Sequence, residues 1–319
     1  MEMISLEELV SKDHAYRKFA KLIDMARVIK RLKEVDTEGV VGPTGYGLEQ
    51  LFKCLLLQYM EDNSDREHER FLAENNTAKW FCGFRLGDKT PDHTVFTRAR
   101  KRIGTDRLSK IFSDLRDEFK RQGYMSEVFT FVDATYLISK ASLWEERDKA
   151  IEQKMEKLNN EVLPKVAVDR EARIGCKGKN KFWYGYKQHT SVDMQSGLIN
   201  KVAITPANTM DAKGLKHVCP NGGAVFGDKG YCIKPAQDIL KMKGCHNSTI
   251  RKNNMKGKNF DLDRYRTKLR APYERIFSKT SKRVRYRGVV KNQFSAFFQA
   301  MCLNLKRLLV LQEEARFAT

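Results

Sequence analysis

The spacing of apolar residues changes near Gly123, and this change constrains the fold more than any other feature of the chain. In the first ~120 residues, apolar positions recur at helical spacing, as they do across 48–59. After Gly123 the apolar runs are short, β-branched and aromatic, as in 128–132, which is typical of strands. The pattern predicts an all-helical N-terminal domain (1–120) followed by an α/β domain with a mixed sheet (121–319).

The helical part contains two start signals and one basic helix. Ser64 and Glu67 form a capping box. A later helix is expected to start near Asp92 or Thr94 and to carry Arg98 and Lys101 on a basic stretch. A turn followed by a basic helix resembles a DNA-reading unit. A small bundle with a solvated basic face explains the same pattern, and both interpretations stay open at this point.

The second part alternates strand-like and helical segments. Beyond the run 128–132, we expect a hairpin that turns at Gln195-Ser196-Gly197, strands at 223–227 and Thr249-Ile250, and an amphipathic core helix over 294–311.

Charge and its distribution favour a polyanionic partner. The formal net charge is +20 and the sequence pI is about 9.6. Between 241 and 310 the chain has 19 lysines and arginines but only three acidic residues. An evenly basic surface would not concentrate charge in this way, so nucleic acid is the expected partner.

Composition also argues against several other classes of protein. No apolar run approaches the length of a membrane span, and the first twelve residues do not form a signal-peptide pattern, so neither is expected. The seven cysteines are odd in number and form no C-x-x-C pair, which fits a reducing cytoplasm better than a disulfide framework. Cys245-His246 has no spaced second pair and is a weak zinc signal.

Two aspartates directly follow strand-like segments. Asp133 follows the run 128–132, and Asp228 follows 223–227. A carboxylate at the carboxyl end of a strand faces the crevice where α/β proteins bind ligands. Either aspartate alone would more often cap the following turn. Two of them in one basic domain favour a shared site.

Glu274 is the third candidate, because it is the only carboxylate between Arg264 and Gln312. A glutamate among basic residues can be a surface ion-pair partner, which contributes little, or a cation ligand. Two Mg²⁺ ions roughly 4 Å apart can activate an attacking oxygen and stabilise a leaving one. Three carboxylates against two such ions leave net positive charge for a phosphate.

Several motifs together are specific enough to indicate a family. Those that carry the resemblance are Phe131-Val132-Asp133-Ala134-Thr135, Asp169-Arg170-Glu171-Ala172-Arg173-Ile174-Gly175, Thr205-Pro206-Ala207-Asn208, Gly227-Asp228-Lys229-Gly230-Tyr231, Arg270 four residues before Glu274, and Arg285-Tyr286-Arg287-Gly288. On these motifs the chain resembles bacterial insertion-sequence transposases of the DDE class, in the branch typified by insertion sequence five. It departs from the family pattern at Thr267 and Ser281, which stand where a tyrosine and a lysine are expected.

The resemblance implies a ribonuclease H-like catalytic domain with an insertion at about 138–185. It implies recognition of element ends, metal-dependent strand cleavage and transfer of 3′-hydroxyls into target DNA. Asp133, Asp228 and Glu274 would be the catalytic residues and would hold two Mg²⁺ ions, for which Mn²⁺ can substitute.

Expected partners are double-stranded DNA, at element ends and targets, and further copies of the chain in a homodimer or higher oligomer. The expected location is the bacterial cytoplasm at the nucleoid, without a membrane. The residues expected to contact DNA are Arg98, Lys101, Lys179, Lys181, Trp183, Tyr184, Lys187, Tyr231, Arg270, Lys282, Arg285 and Arg287.

Alternatives remain at the level of sequence. The aromatic residues Trp183, Tyr184 and Tyr186 stand among lysines, which suits unpaired DNA, but they could equally pack a hairpin against the sheet. The whole chain could also be a catalytically inactive DNA-binding derivative or a stand-alone nuclease of the same fold. The intact acids and the N-terminal domain favour the transposase over both.

Overall fold

The computed structural model forms two compact units, residues 1–118 with 297–319 and residues 119–296. The predicted division at residue 120 falls beside this boundary, whereas 297–319 was assigned to the second domain and lies in the first unit. The structure describes residues 5–33, 45–141, 159–178, 181–278 and 282–317, without the side chains of 166, 274–278 and 316–317. Lys179 and residues 142–158 of the predicted insertion fall outside the described residues.

The first unit is helical across its described residues. The helices are α1 (Leu6–Leu9), α2 (Ala15–Leu22), α3 (Met25–Lys33), α4 (Leu48–Met60), α5 (Asp65–Glu74), α6 (Asn76–Cys82), α7 (His93–Ile103), α8 (Thr105–Arg121) and the C-terminal part of the last helix, α13 (Val289–Phe317).

The predicted start signals of these helices are confirmed. The Ser64 hydroxyl accepts a hydrogen bond from the backbone N–H of Glu67, and Asp92 accepts one from the N–H of Thr94 at 2.7 Å. Each side chain satisfies a backbone donor that the first helical turn leaves free. Helices α5 and α7 therefore begin where the sequence predicts.

Aromatic residues of α13 complete the core of the first unit. The ring centroid of Phe298 lies 5.5 Å from that of Phe52 and 5.2 Å from that of Tyr59. The Lys306 ammonium donates to the carbonyl oxygen of Met60 at 3.0 Å. The apolar stripe predicted for this helix is thus confirmed as core.

Helix α13 also has the length and composition of a membrane span. Residues 289–315 reach a mean hydropathy of 1.3 in their most apolar window, and 61% of that window is buried inside the protein. The buried core helix of a soluble protein passes the same test, so this one match among the described residues is weak evidence.

The second unit is built on a mixed sheet. Its elements are β1 (Phe129–Ile138), α9 (Leu163–Val166), β2 (Arg173–Lys177), β3 (Lys181–Asp193), β4 (Ile199–Pro206), α10 (Asp211–Val218), β5 (Ala224–Phe226), a 3₁₀ turn (Lys229–Tyr231), α11 (Lys234–Met242), β6 (His246–Asn247), α12 (Phe260–Ser278) and the start of α13.

The long strand β3 organises one half of the sheet. It pairs antiparallel with β1 on one side and with β2 and β4 on the other. Strands β5 and β6 continue the sheet beyond β1, and both run parallel to their neighbours. The mixed α/β sheet and the helical N-terminal region confirm the predicted fold class, and the hairpin around 195–197 connects β3 and β4 as predicted.

One predicted strand is wrong in position. The expected strand at Thr249-Ile250 is absent, and β6 instead occupies His246–Asn247. The side-chain oxygen of Asn247 accepts hydrogen bonds from the N–H and the hydroxyl of Thr249, at 3.0 and 2.7 Å. This local asparagine turn interrupts the regular strand, although the N–H of Ile250 still donates to the carbonyl oxygen of Gly227 at 3.1 Å.

A buried aspartate joins distant segments of the second unit. Asp169 is 2% exposed, and its carboxylate accepts hydrogen bonds from the hydroxyls of Tyr186 at 2.7 Å and Ser139 at 3.0 Å. The N–H of Gly288 lies 3.3 Å from the same carboxylate and 2.9 Å from the Tyr186 hydroxyl. Glu171 accepts from the N–H of Val289, the first residue of α13. The motif at 169–175 therefore fixes the start of α13 beside the sheet.

Candidate active site

Strand pairing brings the two aspartates of the candidate site side by side. In the parallel pair β1 and β5, Phe131 is the register partner of Phe226. Asp133 and Asp228 each lie two residues beyond this last pair, and the charge of Asp228 acts on Asp133, so the two carboxylates lie near each other. Neighbouring strands are separated by about 4.8 Å, which is close enough for two carboxylates to share a cation.

The environment of Asp133 favours its neutral form in the absence of a cation. Burial is the largest cause that raises the pKa of Asp133, to about 6, and the charge of Asp228 raises it further. A hydrogen bond from the N–H of Ala134 at 2.8 Å and the charges of Lys177 and Arg270 lower the pKa. A bound cation would replace the missing opposite charge.

Asp228 is held by the turn that follows β5. It caps the 3₁₀ turn, where one carboxylate oxygen accepts a hydrogen bond from the N–H of Gly230 at 2.8 Å. A Cβ atom at Gly230 would lie 2.9 Å from that same oxygen, so this position has no room for a side chain without displacing the carboxylate. The capping role expected of a single aspartate and a ligand role are therefore compatible, because capping occupies only one of the two oxygens.

Helix α12 brings the third candidate towards β1. The ring of Tyr273 lies 6.2 Å from that of Phe131, and the Arg270 guanidinium is near enough to lower the pKa of Asp133. Glu274 directly follows Tyr273 on this helix, and its side chain is outside the described part of the structure.

The sequence suggests that the helix of Glu274 starts at Pro272, and this prediction is wrong. Helix α12 begins at Phe260, where Asn259 accepts a hydrogen bond from the N–H of Leu262, and Pro272 lies inside the helix. Three full turns precede the proline, so Glu274 is far from the N-terminal end and gains nothing from the helix dipole there.

The residues present fit a hard divalent cation. Asp133 and Asp228 each keep a second carboxylate oxygen to which no described residue donates a hydrogen bond. Carboxylate oxygens are the ligands that Mg²⁺ prefers. Among the described side chains, which exclude Glu274, no group of three metal-binding residues occurs. The described part of the site thus supplies two carboxylates of a possible metal centre.

The residues expected to contact DNA divide into three groups. Exposed side chains occur at Arg98, Lys101, Lys181, Lys282 and Arg287, while Trp183, Tyr184, Lys187, Arg270 and Arg285 are half-buried, and Tyr231 is buried.

Tyr231 lies in the core and not on a surface that DNA could reach. It is 1% exposed and packs with Val132 and the apolar residues of α10 and α11. Its hydroxyl has no hydrogen-bond partner among the described residues. Burial raises the pKa of Tyr231, and the charges of Asp133, Asp211 and Asp228 act in the same direction. The small Gly227 leaves space for this ring beside β5.

Several of the half-buried side chains already have structural partners. Lys187 donates to Asp211 at 2.8 Å, the Trp183 indole N–H donates to the carbonyl of Tyr186 at 3.1 Å, and the Tyr184 hydroxyl donates to the carbonyl of Asp169. These contacts favour the packing alternative for Trp183 and Tyr184.

Sequence reasoning missed two residues of this region. The charge of Lys177 on β2 lowers the pKa of Asp133. Tyr136 on β1 lies close to two lysine ammonium groups. Lys177 stands within the lysine-rich stretch that the sequence shows, but only the pairing of β2 with β3 brings it towards β1. No local pattern could have identified Tyr136.

Replacing Asp133 with asparagine is expected to stabilise the metal-free protein at alkaline pH. The raised pKa means that ionised Asp133 costs free energy in the folded state, and stability falls as pH rises from about 4 through about 6. The gain at pH 8 is at most about 3 kcal/mol, since one pKa unit corresponds to about 1.4 kcal/mol. It should nearly vanish at pH 3, below the ordinary pKa of an aspartate, where Asp133 is protonated in both the folded and the unfolded chain.

Urea denaturation in EDTA at both pH values measures this difference. If the wild type is as stable as the variant at pH 8, the pKa of Asp133 is not raised by burial and by the charge of Asp228.

Two family models match the chain and together cover most of it. The model described as "Transposase domain (DUF772)" matches residues 4–102, and the model described as "Transposase DDE domain" matches residues 165–305. The second match includes Asp228 and Glu274, whereas Asp133 lies between the two matched ranges.

Three solved structures that are similar to the chain are complexes of other transposases with transposon DNA or in a transpososome. A piggyBac transposase synaptic complex with hairpin DNA is 9% identical, with 96% of this chain and 75% of that chain covered and a TM-score of 0.39. A Mos1 transposase paired-end complex with the left transposon end is 8% identical, with 88% and 84% covered and a TM-score of 0.19. A pre-cleavage Mos1 transpososome is 8% identical, with 93% and 96% covered and a TM-score of 0.19. The TM-scores are low, and we draw no inference from these likenesses.

Proposed function

The chain belongs to the insertion-sequence transposases with a DDE domain, and from this membership we propose that it binds the ends of a bacterial insertion sequence and cuts and joins DNA there. The proposed reaction is strand cleavage followed by transfer of a 3′-hydroxyl into double-stranded target DNA. We place the element in the branch typified by insertion sequence five, on the motifs of the sequence. The protein would act in the bacterial cytoplasm, as a homodimer or higher oligomer on DNA.

The observation that carries the proposal is the parallel register of β1 and β5, which sets Asp133 beside Asp228 in a basic unit. Together with Glu274, these carboxylates would hold two Mg²⁺ or Mn²⁺ ions. Such ions, when bound, activate the attacking oxygen and stabilise the leaving oxygen in phosphodiester chemistry. The position of Tyr273 beside Phe131 supports the choice of Glu274, because it brings that stretch of α12 towards β1.

The remaining contributions come from the chain itself. Asp133 is half-buried, and its partial removal from water strengthens its interaction with any cation. Arg270 and Lys177 carry positive charge close to this carboxylate, and both suit contact with the phosphate of the strand to be cut. The 3₁₀ turn after Asp228 holds one carboxylate oxygen and leaves the other for a ligand.

A plasmid that carries the ends of a matching element tests the proposal. Nicks or breaks at those ends in Mg²⁺, but not in EDTA, would support it. Binding without cleavage would indicate an inactive DNA-binding derivative, and cutting without regard to the ends would indicate a stand-alone nuclease. Absence of both binding and cleavage would overturn the proposed function.

Loss of two basic side chains after α12 is expected to flatten the salt dependence of DNA binding. Arg287 is exposed and Arg285 is half-buried beside it. If both contact phosphates, the variant Arg285→Ala/Arg287→Ala should lower the slope of log K against log salt by about 0.9 for each contact. Fluorescence anisotropy with a labelled duplex over a range of salt concentrations measures the slope.

The matched control for this variant is Lys213→Ala/Lys216→Ala, which removes the same charge from exposed positions on α10. If both double variants change the slope equally, the effect reflects net charge and the two arginines are not phosphate contacts.

A further inference from the structure

Two lysine ammonium groups converge on one tyrosine ring at the end of β1. The Nζ atom of Lys181 lies 4.7 Å from the centroid of the Tyr136 ring, and that of Lys282 lies 4.8 Å from it. Lys181 begins β3, whereas Lys282 follows α12 and is more than a hundred residues away in sequence. The fold therefore assembles this lysine–tyrosine cluster, Tyr136 with Lys181 and Lys282, from three separate segments.

The backbone around Lys282 is fixed against β1. Its carbonyl oxygen accepts a hydrogen bond from the N–H of Ile138 at 2.7 Å, and the N–H of Val284 donates to the carbonyl of Ile138 at 2.9 Å. Lys181 is placed by the antiparallel pairing of β3 with β2, in which its partner is Lys177. The cluster is thus a feature of the folded sheet, and only the ends of its lysine side chains are free to adjust.

Neither lysine of the cluster has a counter-charge among the residues that the structure describes. Their side chains are exposed, and neither forms an ion pair with a carboxylate among the described residues. A tyrosine ring attracts each ammonium group by roughly 0.5–1 kcal/mol at an exposed site. That attraction does not remove the repulsion between two cations at one ring. A bound anion would offset this repulsion.

A second aromatic surface lies next to the tyrosine. The ring centroid of Trp183 is 5.7 Å from that of Tyr136, at an interplanar angle of 49°. The hydrogen bond from the Trp183 indole to the carbonyl of Tyr186 fixes this ring. Lys181 and Trp183 are two residues apart on β3, so their side chains project to the same face of the strand. The cluster therefore combines positive charge with two adjacent aromatic rings.

We propose that the lysine–tyrosine cluster is a subsite for an unpaired nucleotide of the DNA strand, which deepens the proposed function and rests on it. The phosphate binds the Lys181 and Lys282 ammonium groups at the edge of the ring, and the base displaces one of them to stack against Tyr136 beside Trp183. Only a base outside the duplex exposes its face to a protein ring, so the ligand is a frayed or single-stranded segment. Tyr136 is three residues from Asp133 along β1, so the two side chains project to opposite faces of the strand, and a DNA strand that reaches both must pass around the end of the sheet. The two residues are at least about 10 Å apart, which corresponds to roughly three nucleotides of one strand or more.

The test compares two DNA probes on the full chain in metal-free buffer. One probe is a blunt duplex, and the other is the same duplex with a short unpaired 3′ segment. The wild type should bind the second probe more tightly. Tyr136→Leu should weaken binding to the unpaired probe by about tenfold, because stacking of one base contributes roughly 1–3 kcal/mol, and should leave blunt-duplex binding within about twofold. Tyr136→Phe keeps the ring and should restore the preference.

Lys181→Gln/Lys282→Gln provides an independent arm, since exposed lysines can be replaced without loss of the fold. It should remove the preference for the unpaired probe, whereas Lys213→Gln/Lys216→Gln, with the same charge change, should keep it. Equal loss on both probes, or a preserved preference in both cluster variants, would overturn the inference. A wild type that binds neither probe would instead contradict the proposed function, and a wild type that binds both without preference would contradict this subsite alone.

Discussion

Replacing Asp133 with asparagine is expected to abolish metal-dependent strand cleavage while DNA binding stays within a few-fold of the wild type. The asparagine keeps the shape of the side chain but removes the negative charge that a divalent cation requires. Metal ions contribute several kcal/mol of transition-state stabilisation, so the loss should be about 10³-fold or more. Asp228→Asn and Glu274→Gln should behave in the same way, because each removes one ligand charge.

The assay is cleavage of a plasmid with the element ends in Mg²⁺, with duplex binding measured in parallel. Asp238→Asn is the matched control, since Asp238 is an exposed acid on α11 in the same unit. The control should cleave normally. Cleavage by Asp133→Asn at the rate of the wild type would remove this residue from the site. Unfolding cannot explain a loss, because the same substitution should stabilise the metal-free protein.

Replacing Asp169 with alanine is expected to destabilise the second unit by about 3–5 kcal/mol. The substitution leaves two buried hydroxyls, those of Tyr186 and Ser139, without their acceptor, and an unsatisfied buried polar group costs about 1–3 kcal/mol. It also removes the acceptor near the N–H of Gly288. Urea denaturation at neutral pH measures the loss as a lower midpoint with an unchanged slope.

Two further variants separate this network from a general effect of lost charge. Glu171→Ala removes the acceptor for the N–H of Val289, and such a cap contributes only about 1 kcal/mol. Ser139→Ala in the Asp169→Ala background removes one stranded hydroxyl and should recover part of the loss. Equal destabilisation by Asp169→Ala and Glu171→Ala would show that the buried network contributes no more than a helix cap.

The sequence predicted elements whose signals are local. Apolar runs identified β1 and β5, and Ser64 and Asp92 marked the starts of α5 and α7, because capping depends on residues two or three positions apart. Asp228 was predicted beyond the end of its strand for the same reason, whereas the strand predicted to end at Asp133 continues to Ile138, so Asp133 lies inside β1. The parallel pairing of β1 and β5 that brings them near each other required the structure, since it joins segments nearly a hundred residues apart.

Features that depend on distant contacts were missed or misread. Asp169 was noticed only as part of a family motif, and its partner Gly288 is 119 residues away. The start of α12 was misplaced because Pro272 suggested a first helical turn, although a proline can occur inside a helix that tertiary packing supports. Tyr231 was expected at a DNA surface from its motif, and its burial depends on the helices that pack over β5.

The parallel register of β1 and β5 also determines which kinds of sequence change a copy of this transposase can survive. A one-residue insertion or deletion inside 129–133 or 224–228 would shift one carboxylate by about 3.3 Å and turn it to the opposite face of the sheet. Such a length change is then equivalent to deleting the acid itself. Apolar exchanges at the same positions leave the register intact. Among diverging copies, cleavage should therefore tolerate substitution within these two strands but no change in their length.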